Sequence, residues 1–168
     1  MNIVLKKIKT PFGELLAGAT NKGICLLEFT DTNRVEMQLS ALEKIFKTKT
    51  KDGESPFFKP LQQQLDDYFC QKRRTFDLPL DIKGSPFQIQ VWQALLTIPY
   101  GQTRFYQQQA TTIQRPKAFR AVASANRQNR MSILIPCHRV IAKNGGLAGY
   151  GGGLDRKKYL IQLEQVQQ

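Results

Sequence analysis

The 168-residue chain holds three cysteines, one tryptophan and a single histidine, His138. Three cysteines are too few and too uneven for a disulfide framework, and their use points to a reducing compartment. One histidine and no CxxC pair leave no zinc site, so neither a metal nor a cofactor is expected. No apolar stretch reaches the ~20 residues of a membrane span. The start, "MNIVLKKIKTPFGELL", interrupts its short apolar runs with lysines, unlike a signal peptide. A soluble, cytoplasmic protein with no membrane partner is expected. The scarcest feature is negative charge in the second half. Residues 84–168 contain two acids, Asp155 and Glu164, against 11 lysines and arginines, whereas residues 1–83 contain 11 acids against 14. So uneven an excess of cations points to a polyanion as partner of the second half.

The first thirty residues read as a β-meander: "NIVLKKIKT", "ELLAGAT" and "ICLLEF", with a turn at Asn21-Lys22-Gly23 where glycine supplies a positive φ. Val35, Leu39, Leu42 and Phe46 then fall at helical spacing, as do Phe58, Leu61, Leu65 and Phe69 after a polar loop at 48–56. "TFDLPLDIKG" reads as a strand and linker. Beyond it, Ser85, Pro86 and Gln88 form a capping box before the apolar face Phe87, Val91, Leu95 and Ile98, which Pro99 and Gly101 terminate. A short helix from Thr103 and a third helix with Pro116 in its first turn follow, a helix-turn-helix arrangement. In the third helix Ala118, Ala121, Val122 and Ala125 share an inner face, while Lys117, Arg120 and Arg127 point elsewhere. Small residues at Ala123 and Ser124, flanked by cations, suit close approach to a nucleic-acid groove.

The stretch "ILIPCHRVIAKNGGLAGYGGGL" delivers Cys137 and His138 side by side after a buried extended run ended by Pro136. A neighbouring base favours the thiolate, the strongly nucleophilic form of cysteine. Adjacent residues of an extended segment point apart, so a bridging water or a turn is needed to couple the pair. Asp155 and Glu164 are the acids that could orient His138. Tyr159, Leu160 and Leu163 form the buried stripe of the last helix, with Glu164 at its edge. These features mark Cys137 as a candidate nucleophile, and a cysteine hydrolase is one reading of the pair.

"IPCHRVI" followed by "GLAGYGGGL", with "GSPFQIQVWQALLTIPYGQT", "YQQQA" and "RPKAFRAV" upstream, resembles the O6-alkylguanine-DNA alkyltransferases, the methylated-DNA–protein-cysteine methyltransferases. The first half resembles that family through "PFGELLAGAT" and "FDLPLD". The resemblance implies an α+β fold: a small ribonuclease-H-like β/α domain at 1–83, then a mainly helical domain at 84–168 with the helix-turn-helix. It implies an irreversible, stoichiometric transfer of the alkyl group to Cys137, with His138 acting through a water and Glu164 orienting it. Tyr106 matches the tyrosine that hydrogen-bonds the guanine and helps rotate the phosphate. Arg120 matches the residue that fills the stack when the nucleotide flips out. Lys117, Ala121, Asn126 and Arg127 join Arg120 as candidate DNA contacts. Asn129 matches the hinge that braces the site. Val140, Tyr150, Gly151 and Gly152 complete the pocket, where backbone must approach a flat base. The implied partner is duplex DNA carrying O6-alkylguanine, with O4-alkylthymine a second candidate lesion, and the implied state is a monomer that can cluster on DNA. The chain departs from the family pattern at Arg130, where proline is frequent, at Ile113-Gln114 before the third helix, at Ala123 and at Ser132. A non-catalytic lesion-binding relative is the alternative, which the intact Cys137 disfavours.

Overall fold

The computed structural model describes residues 2–166, and the chain divides into two compact units, residues 1–83 and 84–168. The fold is α+β. In the first unit β1 (Ile3–Thr10), β2 (Gly13–Ala19) and β3 (Ile24–Phe29) form the expected meander, antiparallel throughout. β3 is buried along its whole length. Helix α1 (Val35–Phe46) packs on β3 and α2 (Phe58–Phe69) on β1. Ile3, Leu5, Cys25, Leu26, Leu42 and Phe46 make one apolar cluster, extended by half-buried Leu16, Leu39 and Ile45.

Three expectations for this unit are corrected. The segment 48–56 is not all loop. Thr50–Asp52 forms β4, parallel to β1 at the sheet edge, so the strand order is β3-β2-β1-β4. "TFDLPLDIKG" forms no strand, only one bridge between Leu80 and Ile24. Gly23 is not required for a positive φ. It is required for space, because a Cβ there would lie 2.4 Å from the Pro79 carbonyl oxygen.

The second unit begins with α3 (Pro86–Leu95), capped as expected: Ser85 Oγ accepts from Gln88 N–H, and the Gln88 side chain accepts from Ser85 N–H. The short helix starts later than Thr103. Arg104–Phe105 forms β5, paired in parallel with β6 (Val140–Ile141), and α4 runs Tyr106–Thr112. The next helix, α5 (Phe119–Arg127), also starts late, with Pro116 in the turn before it rather than in its first turn. Gln114, between α4 and α5, adopts φ 62°, a conformation suited to glycine. Reciprocal amide bonds between Gln109 and Asn126 (2.8 and 2.9 Å) clasp α4 to α5 inside the protein. Trp92 Nε1 donates to the Ala125 carbonyl and ties α3 to α5.

The inner face of α5 is Val122, Ala125 and Asn126. Ala121 is exposed and Ala118 half-buried, so neither belongs to it, and Ala123 and Ser124 are half-buried rather than exposed. The "ILI" run is buried but is not extended, as described below. Helix α6 (Leu154–Val166) buries Lys157, Leu160 and Glu164, while Tyr159 and Leu163 are only half-buried. Among the described residues no helix is long and apolar enough to cross a membrane.

Candidate active site and nucleic-acid interface

Two γ-turns in succession present Cys137. Leu134 N–H donates to the Ser132 carbonyl around Ile133, which has φ 72° and is buried. A left-handed γ-turn centred on a β-branched residue is strained, by ~1–3 kcal/mol. Cys137 N–H then donates to the Ile135 carbonyl around Pro136, whose φ −81° and ψ 62° are the relaxed hand of the same turn. One side chain holds both turns. Asn129 Nδ2 donates to the Ile135 carbonyl (2.8 Å) and reaches Cys137 Sγ at 3.1 Å, while its Oδ1 accepts from Met131 N–H (3.0 Å). Asn129 is buried, and a donor aimed at sulfur favours the thiolate over the thiol.

Cys137–Arg139 is one turn of 3-10 helix, not an extended segment, and α6 packs against it. His138 is fully buried, and its Nε2 lies 2.7 Å from Glu164 Oε2. A carboxylate can only accept, so Nε2 carries a proton, and in the neutral ring the lone pair is left on Nδ1. Arg139 grips the same carboxylate, Nε to Oε1 at 2.8 Å and Nη2 to Oε2 at 3.1 Å, and its Nη1 donates to the Ile98 carbonyl. Burial alone would push the Glu164 carboxyl up, but His138 and Arg139 outweigh it and hold it well below the usual carboxylate range. Glu164 is therefore an ionised, fully hydrogen-bonded group in the interior, not the solvated helix residue that its type suggests. Asp155 is exposed in the first turn of α6.

Parallel pairing of β5 with β6 sets Phe105 opposite Ile141, and Tyr106 follows at the start of α4. Burial, and then the charge of Cys137, push the Tyr106 phenol up against a smaller pull from Arg127. Tyr106 is thus a neutral donor within electrostatic reach of the sulfur. Val140 is buried, and its N–H donates to the Cys137 carbonyl. Tyr150 and Gly151 are half-buried and Gly152 buried, while Gly153, at φ 99°, ends the glycine run immediately before α6.

Lys157 went unnoticed in the sequence. It is fully buried, and its Nζ donates to the Gly149 carbonyl at 3.1 Å, while Arg156 donates to the Gly152 carbonyl. The first turn of α6 thereby pins both ends of the segment that contains Tyr150 and Gly151. Burial lowers the Lys157 ammonium to about 8, partly opposed by the Cys137 charge. The spacing 157–160–164 carried the signal, since those three positions share one helix face.

On the outside of α5, Arg120, Ala123, Ser124 and Arg127 fall at i, i+3, i+4 and i+7, two exposed arginines bracketing two small residues. Lys117 and Ala121 are exposed beside them. Asn126 is not available for DNA contact, because it is buried in its clasp with Gln109. Arg130 is buried, with its guanidinium carbon 5.3 Å from the Trp92 ring centre.

The 6-O-methylguanine DNA methyltransferase DNA-binding domain family matches residues 86–166, and the ribonuclease-like domain of the same proteins matches residues 3–82. A methylated-DNA–protein-cysteine methyltransferase of Methanosarcina barkeri is 41% identical over 159 residues, covering 94% of each chain. The constitutive enzyme of that name from Bacillus subtilis is 42% identical, over 94% of this chain and 93% of its own. The solved structure of Mycobacterium tuberculosis OGT in complex with DNA superposes with a TM-score of 0.82 at 36% identity, covering 99% of this chain and 94% of that one.

Proposed function

The chain belongs to the 6-O-methylguanine DNA methyltransferase family, and from that premise we propose which of its own atoms do the work. Its function is DNA repair by alkyl transfer, and DNA is its partner. Cys137 is the acceptor and O6-alkylguanine the lesion. The thiolate attacks the alkyl carbon in line with the O6 bond. A sulfur–carbon bond forms, the carbon–oxygen bond breaks, and the electron pair passes to the guanine. The observation that carries this reading is Cys137 Sγ held at 3.1 Å by the Asn129 amide, beside a histidine oriented by a buried carboxylate.

With Nε2–H committed to Glu164, His138 has only Nδ1 to receive the thiol proton. Among the described residues Nδ1 has no protein partner, so the path from sulfur runs through a water. Tyr106, kept neutral, donates toward the ring nitrogen where negative charge collects on the departing base. Alkyl sulfur is a poor leaving group and offers no carbonyl to attack, so each molecule acts once. The outer stripe of α5 lies in the minor groove, with Arg120 filling the place of a flipped nucleotide and Arg127 and Lys117 on the backbone. The protein works as a monomer in the cytoplasm.

Incubation with duplex carrying O6-methylguanine should add one methyl group per protein, located on Cys137 by peptide mass. Cys137→Ser should add none, with DNA affinity within a few-fold of wild type because phosphate contacts remain. Clearance of the lesion by Cys137→Ser would refute the assignment.

A further inference from the structure

Phe119, the first residue of α5, is 41% exposed, one of four large apolar side chains among the described residues that stand out in solvent. A single exposed apolar residue is ordinary on a protein surface. The surroundings of this one are not. Exposed Arg115 and Lys117 precede it, Arg120 follows it, and Arg127 stands two turns further along the helix. No acid occurs from residue 84 to residue 154 to balance them. The ring centre lies 5.9 Å from the Arg120 guanidinium carbon, within range of a cation–π contact. One helical step is ~100°, so Phe119 sits at the edge of the stripe formed by Arg120, Ala123, Ser124 and Arg127, continuous with the face read as DNA-binding.

Cations alone can neutralise phosphates, but they cannot keep water out of an opened base stack. Minor-groove proteins meet that need with apolar side chains pressed against or between base steps. Resting the guanidinium on a ring also limits the rotamers of Arg120 before DNA arrives, which lowers the ordering cost of binding. We propose that Phe119 is a second element of the nucleotide-opening apparatus. It pre-positions Arg120 in the free protein and lays its own ring against the sugar and base edges beside the displaced nucleotide. The proposal rests on the reading of α5 as the groove helix and names a contact that is apolar, not ionic.

The test compares second-order transfer rates on lesion-bearing duplex and on the free alkylated base for Phe119→Ala, Phe119→Leu and Arg120→Ala. Phe119→Ala should react with duplex roughly tenfold more slowly, the effect of withdrawing part of one apolar ring from burial. Phe119→Leu should recover most of that loss. Both Phe119 variants should match wild type on the free base, which never meets the stack and so reports an intact fold and acceptor. An unchanged duplex rate for Phe119→Ala, or equal losses on both substrates, would overturn the proposal. So would a leucine variant as slow as the alanine one. A second readout places Phe119→Trp in a Cys137→Ser background, with buried Trp92 as a constant signal. Lesion duplex should quench the added indole by stacking, and unchanged emission would count against the contact. Failure of the wild-type protein to act on duplex at all would sink the functional reading itself, a different result from any of these.

Discussion

Residues 1–83 bury apolar side chains almost throughout, with Thr20, Glu28, Gln38 and Gln64 as their buried polar groups. Residues 84–168 bury Gln109, Asn126, Asn129, Arg130, Ser132, His138, Arg139, Lys157 and Glu164. The first pattern is what a sheet covered by two helices needs for stability. The second is costly unless the groups find partners, and here they do so in separate sets: Gln109 with Asn126, Asn129 with the turn at Cys137, His138 and Arg139 with Glu164, and Lys157 with the Gly149 carbonyl. Apolar burial gives the first unit its shape. Polar burial in the second gives a sulfur its surroundings.

Truncations on the two sides would sharpen that contrast most. Glu164→Ala strips His138 and Arg139 of their common acceptor and should cost about 3–5 kcal/mol in denaturant unfolding. It should also slow single-turnover transfer on the order of 100-fold, because the proton acceptor loses its orientation. Leu42→Ala, in the apolar cluster of the first unit, should cost about 2–5 kcal/mol and leave the transfer rate per folded molecule unchanged. Equal slowing by both would break the distinction. Because Glu164 titrates lower when folded than its ordinary 4.5, its contribution is complete above that pH and is lost as the pH falls further. The variant should lack this part of the acid limb.

A smaller effect lies on the alkaline side. Lys157 titrates near 8 when folded against 10.5 unfolded, so between those values the unfolded chain holds a proton that the folded one has shed. Stability should therefore rise as pH climbs through that window, by at most about 3 kcal/mol, and Lys157→Met should flatten the rise. A wild-type curve flat from pH 8 to 10.5 would mean that Lys157 is charged at no extra cost. The smallest effect is at Gln114. Its left-handed φ costs a side chain about 1–2 kcal/mol, and glycine gives back part of that gain through added chain entropy. Gln114→Gly should raise the melting temperature slightly, and a lower one would show that the glutamine side chain supports the turn.

The meander, α1, α2 and the capped start of α3 were legible because each is written in local periodicity or a local cap. β4 was not, since Thr50, Lys51 and Asp52 join the sheet through backbone alone. The late start of α4 depends on Arg104 and Phe105 pairing with Val140 and Ile141, far along the chain. The buried stretch at 133–135 reads as a strand because its residue types favour one, and the Asn129 bonds override that preference. Cys137 and His138 were legible as chemistry, and the resemblance supplied Glu164. The burial of Glu164 and Lys157 was hidden because charged residues on a helix ordinarily face water, and His138 with Arg139 reverses this for Glu164, the Gly149 carbonyl for Lys157.

Near residue 80 the chain is sewn to its own sheet. Ile24 N–H donates to the Pro79 carbonyl, Asp81 N–H to the Ile24 carbonyl, and Thr20 Oγ1 to Asp81 Oδ2. Lys83 then lies 4.6 Å above the Phe46 ring. Dissection of the protein into separately expressed parts should respect these stitches. A cut in the polar stretch before Pro79 would strip Gly23 of the backbone it was shaped to receive and leave an edge of β3 unsealed. A cut after Lys83 keeps the hem with the cloth, and leaves Ser85 to cap α3 on the other piece.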